Sequence, residues 1–212
     1  MRKLLLLLVF PMMCGAADVP CTTPQACWDL LKKGNDNWSK KGRRLQHPNQ
    51  TPARRKAVKD HQAPFAVILT CSDSRVPPEV VFDRGVGDLF VIRVAGNVLD
   101  KHATGSIQYA VEVKKYAKLI VVLGHQRCGA VEAAVEGTKL PEPLATLVAA
   151  LKPAVEASKH WPGDPVENAV DANIYLVAKQ LTDAFQKDGA VVMRKRYSLD
   201  TGVVSDPQPW KP

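Results

Sequence analysis

The chain has 212 residues, of which 46% are hydrophobic and 24% charged, and this composition argues against a disordered, collagen-like or coiled-coil protein. The length suits one sizeable hydrophobic core better than two. The formal net charge of +8 is spread along the chain and aromatic residues are only 6%, so we expect no surface for stacking single-stranded nucleic acid and no nucleic-acid partner.

The first 17 residues have the pattern of a secretory signal peptide. Two basic residues precede the apolar run 4–10, and the small residues 14–17 follow it. This run is shorter than the roughly 20 apolar residues of a membrane span, and no later segment is apolar enough to span a bilayer, so we expect no transmembrane segment. We predict cleavage after Ala17 and export of a soluble protein to the bacterial periplasm. The alternative, a lipoprotein acylated at Cys14, fits the residues before that cysteine poorly.

Residues 18–62 form a predicted N-terminal helical arm. The apolar spacing of Trp28, Leu31 and Trp38 indicates an amphipathic helix, and the basic, proline-containing stretch 43–59 is typical of a solvated connection.

Two cysteines, Cys21 and Cys27, lie close together at the start of the predicted helix. In an oxidising compartment they form either a local disulfide or a pair of buried free thiols.

Residues 63–204 alternate between strand, loop and helix. Four short apolar runs without polar alternation begin at Phe65, Leu89, Leu119 and Ala190. Such runs are typical of strands that are covered on both faces. The apolar stripe within 166–185 predicts a helix that ends before Gly189. We therefore predict an α/β domain with a mostly parallel sheet flanked by helices, followed by a loosely ordered tail over 205–212, which contains three prolines.

Residues that can bind a metal follow two of the predicted strands. Cys71, Asp73 and Arg75 come after the first strand, and His125 and Cys128 come after the third. In open α/β sheets, sites form beyond the carboxyl ends of the strands. Two thiolates and an imidazole suit zinc, and the fourth position then takes either water, giving a catalytic site, or the Asp73 carboxylate, giving a closed one. The alternative is a Cys71–Cys128 disulfide with His125 hydrogen-bonded at the surface.

These residues lie in segments that resemble a known family. Segments 71–77 (CSDSRVP) and 124–130 (GHQRCGA) resemble the two zinc motifs of the β-class carbonic anhydrases. Further segments that resemble parts of this family are 33–35, 47–49, 82–91, 93–97 and 197–202. The resemblance therefore extends over most of the chain.

The resemblance implies a four-stranded, mostly parallel central sheet and an N-terminal arm that packs on a partner subunit, within a homodimer or homotetramer. It also implies one Zn²⁺ per chain, bound by Cys71, His125 and Cys128. Asp73 and Arg75 would form a dyad in which Arg75 holds the carboxylate away from the metal. When that ion pair breaks, Asp73 would become the fourth ligand.

The implied activity is the reversible hydration of carbon dioxide to bicarbonate and a proton, by attack of zinc-bound hydroxide. Two alternatives remain: hydrolysis of carbon disulfide or carbonyl sulfide at the same zinc site, or a non-catalytic zinc-binding exported protein. Loop 83–88 lacks a glutamine that some family members carry near substrate, so we assign no substrate-binding residue and give Arg84 no such role.

Overall fold

A computed structural model of the chain describes residues 20–40, 45–46 and 48–211. The predicted signal peptide, residues 1–17, lies outside the described residues. Within them, every helix is either too short or too polar to span a bilayer.

A mostly parallel sheet of five strands lies at the centre of the described residues. Its strands are β1 (Ala66–Thr70), β2 (Leu89–Arg93), β3 (Leu119–His125), β4 (Val191–Tyr197) and β5 (Val204–Ser205). Their order across the sheet is β2-β1-β3-β4-β5. The first four strands are parallel and β5 is antiparallel to β4. The predicted mostly parallel sheet is confirmed, and the short β5 adds an edge strand to the four that we expected.

Helices lie on both sides of this sheet. Those described are α1 (Pro24–Ser39), α2 (Pro52–Ala57), α3 (Pro78–Val81), α4 (Lys101–Gln108), α5 (Gly129–Glu136), α6 (Leu144–Ser158) and α7 (Pro165–Phe185). A π-helical turn, Tyr109–Val113, continues α4. The side chains of Thr23 and Asp164 accept backbone N–H groups at the starts of α1 and α7, which explains why these helices begin there.

The central strands are buried on both faces. Val67 and Leu69 of β1 belong to a core shared with α6 and α7, whereas Ala66 and Ile68 point to the opposite core, which is shared with α1. All four side chains are fully buried. Successive side chains of a strand point to opposite faces, so burial of both faces requires the unbroken apolar run seen in the sequence.

The N-terminal helix α1 is tied to the body of the domain by Asn35. The Asn35 amide donates hydrogen bonds to the carbonyls of Val81 (3.1 Å) and Gly202 (2.8 Å), and its oxygen accepts one from the Val204 N–H (2.8 Å). These three bonds satisfy the hydrogen-bonding groups of the buried Asn35 side chain. They also fix the position of α1 on the domain.

At the start of α1, Cys21, which precedes the helix, is joined by a disulfide to Cys27 in its first turns. Both residues are buried against the α1 side of the core. Of the two alternatives for this cysteine pair, the structure therefore shows the local disulfide and not the pair of free thiols.

The C-terminal tail packs against the domain, which differs from the loose order that we expected for it. The Trp210 ring lies 5.3 Å from that of Trp161 and 5.6 Å from that of Tyr175, measured between centroids. The Trp161 indole N–H donates to the Lys211 carbonyl at 2.5 Å. Aromatic pairs of this kind bury enough apolar surface to order a proline-rich segment that has no secondary structure of its own.

Close packing of α1 predicts a large effect at Gly34. A Cβ atom at this position would lie 1.7 Å from the Phe82 carbonyl oxygen, which is a backbone atom. We expect Gly34→Ala to lower the free energy of unfolding by about 3 kcal/mol, the upper end for overpacking, measured by urea denaturation. The control is Gly105→Ala in α4, where the added carbon would have no described atom within 4 Å apart from its chain neighbours and the backbone of its own helix. It should gain about 0.5–1 kcal/mol from helix propensity, and equal stabilities of the two variants would contradict the packing argument.

Candidate metal centre

The site forms where the chain changes direction across the sheet. From β1 the chain moves to β2 at one edge and then crosses back to β3 on the other side of β1. Ligands bind in the crevice at such a switch point, beyond the carboxyl ends of the strands. Cys71 immediately follows β1, and His125 is the last residue of β3. The Thr70 hydroxyl donates to the Leu123 carbonyl at 2.8 Å and holds these two strand ends together.

Cys71, His125 and Cys128 meet in this crevice. Among the described residues they form a group of possible metal ligands whose donor atoms all lie within 4.8 Å of one another. All three residues are buried, and the Cys71 and Cys128 sulfurs are 3.9 Å apart with both cysteines free. The structure therefore has no disulfide between these two described cysteines, and it places His125 in the interior instead of at the surface.

The His125 ring is oriented by its backbone neighbour. The Nδ1 atom lies 2.8 Å from the Gln126 carbonyl oxygen, which can only accept, so Nδ1 carries the proton of the neutral ring. The Nε2 atom is buried and has no hydrogen-bond partner in the described part of the chain. A buried nitrogen with an unused lone pair is the arrangement that a metal-binding histidine requires.

The donor set fits zinc. Two thiolate ligands of a tetrahedral zinc at 2.3 Å would have sulfurs about 3.8 Å apart, close to the separation of Cys71 and Cys128. The pKa of the Cys71 thiol is lowered to about 4, chiefly because the Cys128 side chain hydrogen-bonds to it. The same interaction raises the pKa of Cys128. A metal binds cysteine as the thiolate, so a cation bound between the two sulfurs would displace their protons.

The Asp73 carboxylate lies beside these three residues and is held by Arg75. The Arg75 Nη2 donates to Oδ2 at 2.7 Å, and Nε and the backbone N–H donate to Oδ1 at 3.0 and 2.8 Å. The Arg75 guanidinium lowers the pKa of Asp73 from 3.8 to about 2. Asp73 Oδ2 lies 3.9 Å from His125 Nε2. The carboxylate is therefore ionised and adjacent to the three residues, with both oxygens engaged by Arg75.

Three hydrogen bonds to Cys71 and Asp73 come from the end of β2 and the segment that follows it. The Arg93 guanidinium donates to the carbonyls of Cys71 (3.0 Å) and Asp73 (2.5 Å), and the Gly96 N–H donates to the Cys71 sulfur at 3.3 Å. Gly96 has φ +67°, a conformation that favours glycine. Sequence reasoning gave these residues no role, although a charged side chain at the end of a strand next to β1 was an available signal.

Arg84, to which the sequence assigned no substrate role, connects elements of the fold. Its Nη2 donates to the Leu30 carbonyl of α1 at 2.8 Å, and its Nε donates to the Phe82 carbonyl at 3.1 Å. Burial lowers the pKa of this guanidinium. Arg84 thus ties α1 to loop 83–88.

Comparison with known proteins agrees with this fold. The family model described as carbonic anhydrase matches residues 66–204, and the chain belongs to the β class of that family. Carbonic anhydrase 2 of Mycobacterium tuberculosis is 50% identical over 116 residues, which are 55% of this chain and 55% of that protein. A carbonic anhydrase of Mycolicibacterium smegmatis is 50% identical over 115 residues, 54% of each chain. The chain thus spans about half the length of the curated relatives that it matches.

The fold also matches solved structures. One of two tetrameric β-carbonic anhydrases from the ascomycete Sordaria macrospora has a TM-score of 0.62 and 26% identity, covering 71% of this chain and 84% of that one.

Proposed function

We propose that this chain is a zinc-dependent carbonic anhydrase that hydrates carbon dioxide reversibly to bicarbonate and a proton. The observation that supports this most directly is the buried group of Cys71, His125 and Cys128, which offers three ligands and leaves one position of a tetrahedral metal for water. Membership of the family and the adjacent Asp73–Arg75 pair support the same proposal.

A zinc ion bound here would supply Lewis-acid chemistry that makes water a nucleophile near neutral pH. Cys71, His125 and Cys128 would bind it. Asp73 would accept a hydrogen bond from the attacking water at Oδ2 and so orient it toward carbon dioxide. Arg75 would keep that carboxylate ionised and in place through its two-pronged contact.

We further propose a homodimer or homotetramer and an exported location. Strand β2 lies at the edge of the sheet and its apolar residues are only partly buried, which supports an interface between subunits. Export is supported by the signal-peptide pattern of residues 1–17 and by the Cys21–Cys27 disulfide, because disulfides persist in oxidising compartments.

The activity is tested by stopped-flow hydration of carbon dioxide, followed across neutral pH with protein whose zinc content has been measured. We expect about one zinc per chain and a hydration rate that far exceeds the uncatalysed rate. Carbon disulfide and carbonyl sulfide are assayed in parallel with the same protein. Turnover of either of these without hydration would replace the proposal by the hydrolase alternative. Full zinc occupancy with no reaction on any of the three would favour a non-catalytic zinc protein.

A further inference from the structure

Helix α7 contacts the segments that carry the residues of the proposed metal site. It packs so closely against the end of β3 that a Cβ atom on Gly124 would lie 2.7 Å from Ile174 Cδ1. Its Asn173 amide donates to the Gly96 carbonyl at 2.8 Å, and Gly96 in turn donates to the Cys71 sulfur. Its Glu167 contacts the loop that joins His125 to Cys128.

Glu167 contacts the loop at Arg127, whose backbone has a positive φ angle. One oxygen of its carboxylate, Oε1, accepts the Arg127 backbone N–H at 2.8 Å. Arg127 has φ +49°, an uncommon conformation for a residue other than glycine, which persists where surrounding contacts hold it. Because Cys128 follows directly, the direction of the chain at Arg127 determines where the Cys128 sulfur lies relative to His125.

Glu167 is itself fixed at both ends. Its backbone N–H donates to the side chain of Asp164, the N-cap of α7, at 3.0 Å. Its second carboxylate oxygen, Oε2, accepts from Arg196 Nη2, and Arg196 Nη1 donates to Asp171 at 2.9 Å. The side chains of Glu167, Arg196 and Asp171 are 19%, 14% and 0% exposed. A largely buried carboxylate with both oxygens hydrogen-bonded has little conformational freedom, so it holds the loop that it contacts in one position.

We propose that Glu167 is a positioning residue for the loop between His125 and Cys128, and that it sets the affinity of the site for zinc. It offers no ligand atom to the metal and acts through the Arg127 N–H. The inference rests on the proposed zinc site. Removal of the partners that orient metal ligands typically costs about 10- to 100-fold in metal affinity, and we expect a loss in that range for Glu167→Ala.

The test is zinc affinity by chelator competition for the wild-type protein, Glu167→Ala and Glu167→Gln. Glutamine keeps an oxygen that can accept the Arg127 N–H, so its loss should be smaller than that of alanine. The matched control is Asp183→Ala, which removes another carboxylate of α7 and its ion pair with Lys179, both of them exposed. That variant should bind zinc as the wild type does. The absorption spectrum of the cobalt(II)-substituted proteins gives a second readout, and Glu167→Ala should alter the thiolate-to-cobalt band.

Three results would overturn the inference while leaving the proposed function intact. They are a Glu167→Ala affinity equal to that of the wild type, an equal loss in Asp183→Ala, or a loss in Glu167→Gln as large as in Glu167→Ala. If Glu167→Ala does not fold, Glu167→Gln with reduced affinity and an altered cobalt spectrum still supports the inference, and Glu167→Gln with neither change overturns it. A wild-type protein that binds no zinc would instead overturn the proposed function, and this inference with it.

Discussion

Replacement of Cys71 by alanine is expected to abolish zinc binding and carbon dioxide hydration together. Cys71 is one of the three buried residues that we propose as zinc ligands, and its thiol is the one whose pKa is lowered. Its removal leaves one imidazole and one thiol, too few ligands for a stable tetrahedral site. Zinc content of the purified variant and its stopped-flow hydration rate measure the two losses separately.

The matched control for this experiment is the other described cysteine pair. The double variant Cys21→Ala/Cys27→Ala removes two buried cysteines on the α1 side of the core, whereas Cys71 and Cys128 belong to the core on the other side of the sheet. Loss of a disulfide that closes so short a loop should lower the free energy of unfolding by about 2 kcal/mol, while zinc content and hydration stay at wild-type levels. A Cys71→Ala protein that retains one zinc per chain would contradict the ligand assignment.

The strands, and the meeting of Cys71 and His125 at their ends, were predictable because local sequence determines them. Residues of β1 are buried on both faces, and only an apolar, β-branched run satisfies that environment. Cys71 and His125 each follow or end such a run, and the carboxyl ends of parallel strands meet at one edge of the sheet. Residue type and position at a strand end therefore sufficed to bring these side chains together.

The supporting contacts were not predictable in this way. Glu167 bonds a residue 40 positions earlier in the chain, and Asn173 bonds Gly96 across 77 positions. Both lie on α7, where the helical period explains the apolar stripe but assigns no partner to a polar residue. Trp210 is similar, because its contacts with Trp161 and Tyr175 depend on where the tail crosses the finished fold. Such partners follow from tertiary packing and leave no periodic signal in the sequence.

Asp73 is too acidic to contribute to the pH dependence of the hydration rate near neutral pH. Because Arg75 lowers the pKa of this carboxyl from 3.8 to about 2, the group is ionised throughout the neutral range. The stability that the Asp73–Arg75 contact provides is fully present above the ordinary pKa of 3.8 and is lost as the pH falls toward 2. We therefore expect no inflection from Asp73 in the hydration rate at neutral pH. Asp73→Asn should lower the rate by a similar factor at every neutral pH.

Arg75→Lys is expected to lower hydration about 100-fold while zinc stays bound, since a small misplacement of an orienting group costs that much. Lysine keeps the positive charge but cannot grip both carboxylate oxygens as the planar guanidinium does. Asp73 Oδ2 already lies 3.9 Å from His125 Nε2, so a released carboxylate would need only a short movement to reach the proposed zinc site and occupy its fourth position. The cobalt(II) spectrum of Arg75→Lys should then differ from that of the wild type, whereas Asp73→Asn, which has no carboxylate to release, should retain the wild-type spectrum.

The control variant is Arg194→Lys, at an arginine that stacks on Tyr175. It makes the same chemical change elsewhere in the chain and should leave the hydration rate unaltered. A fully active Arg75→Lys protein would show that charge alone suffices and that the two-pronged grip on Asp73 has no part in the reaction.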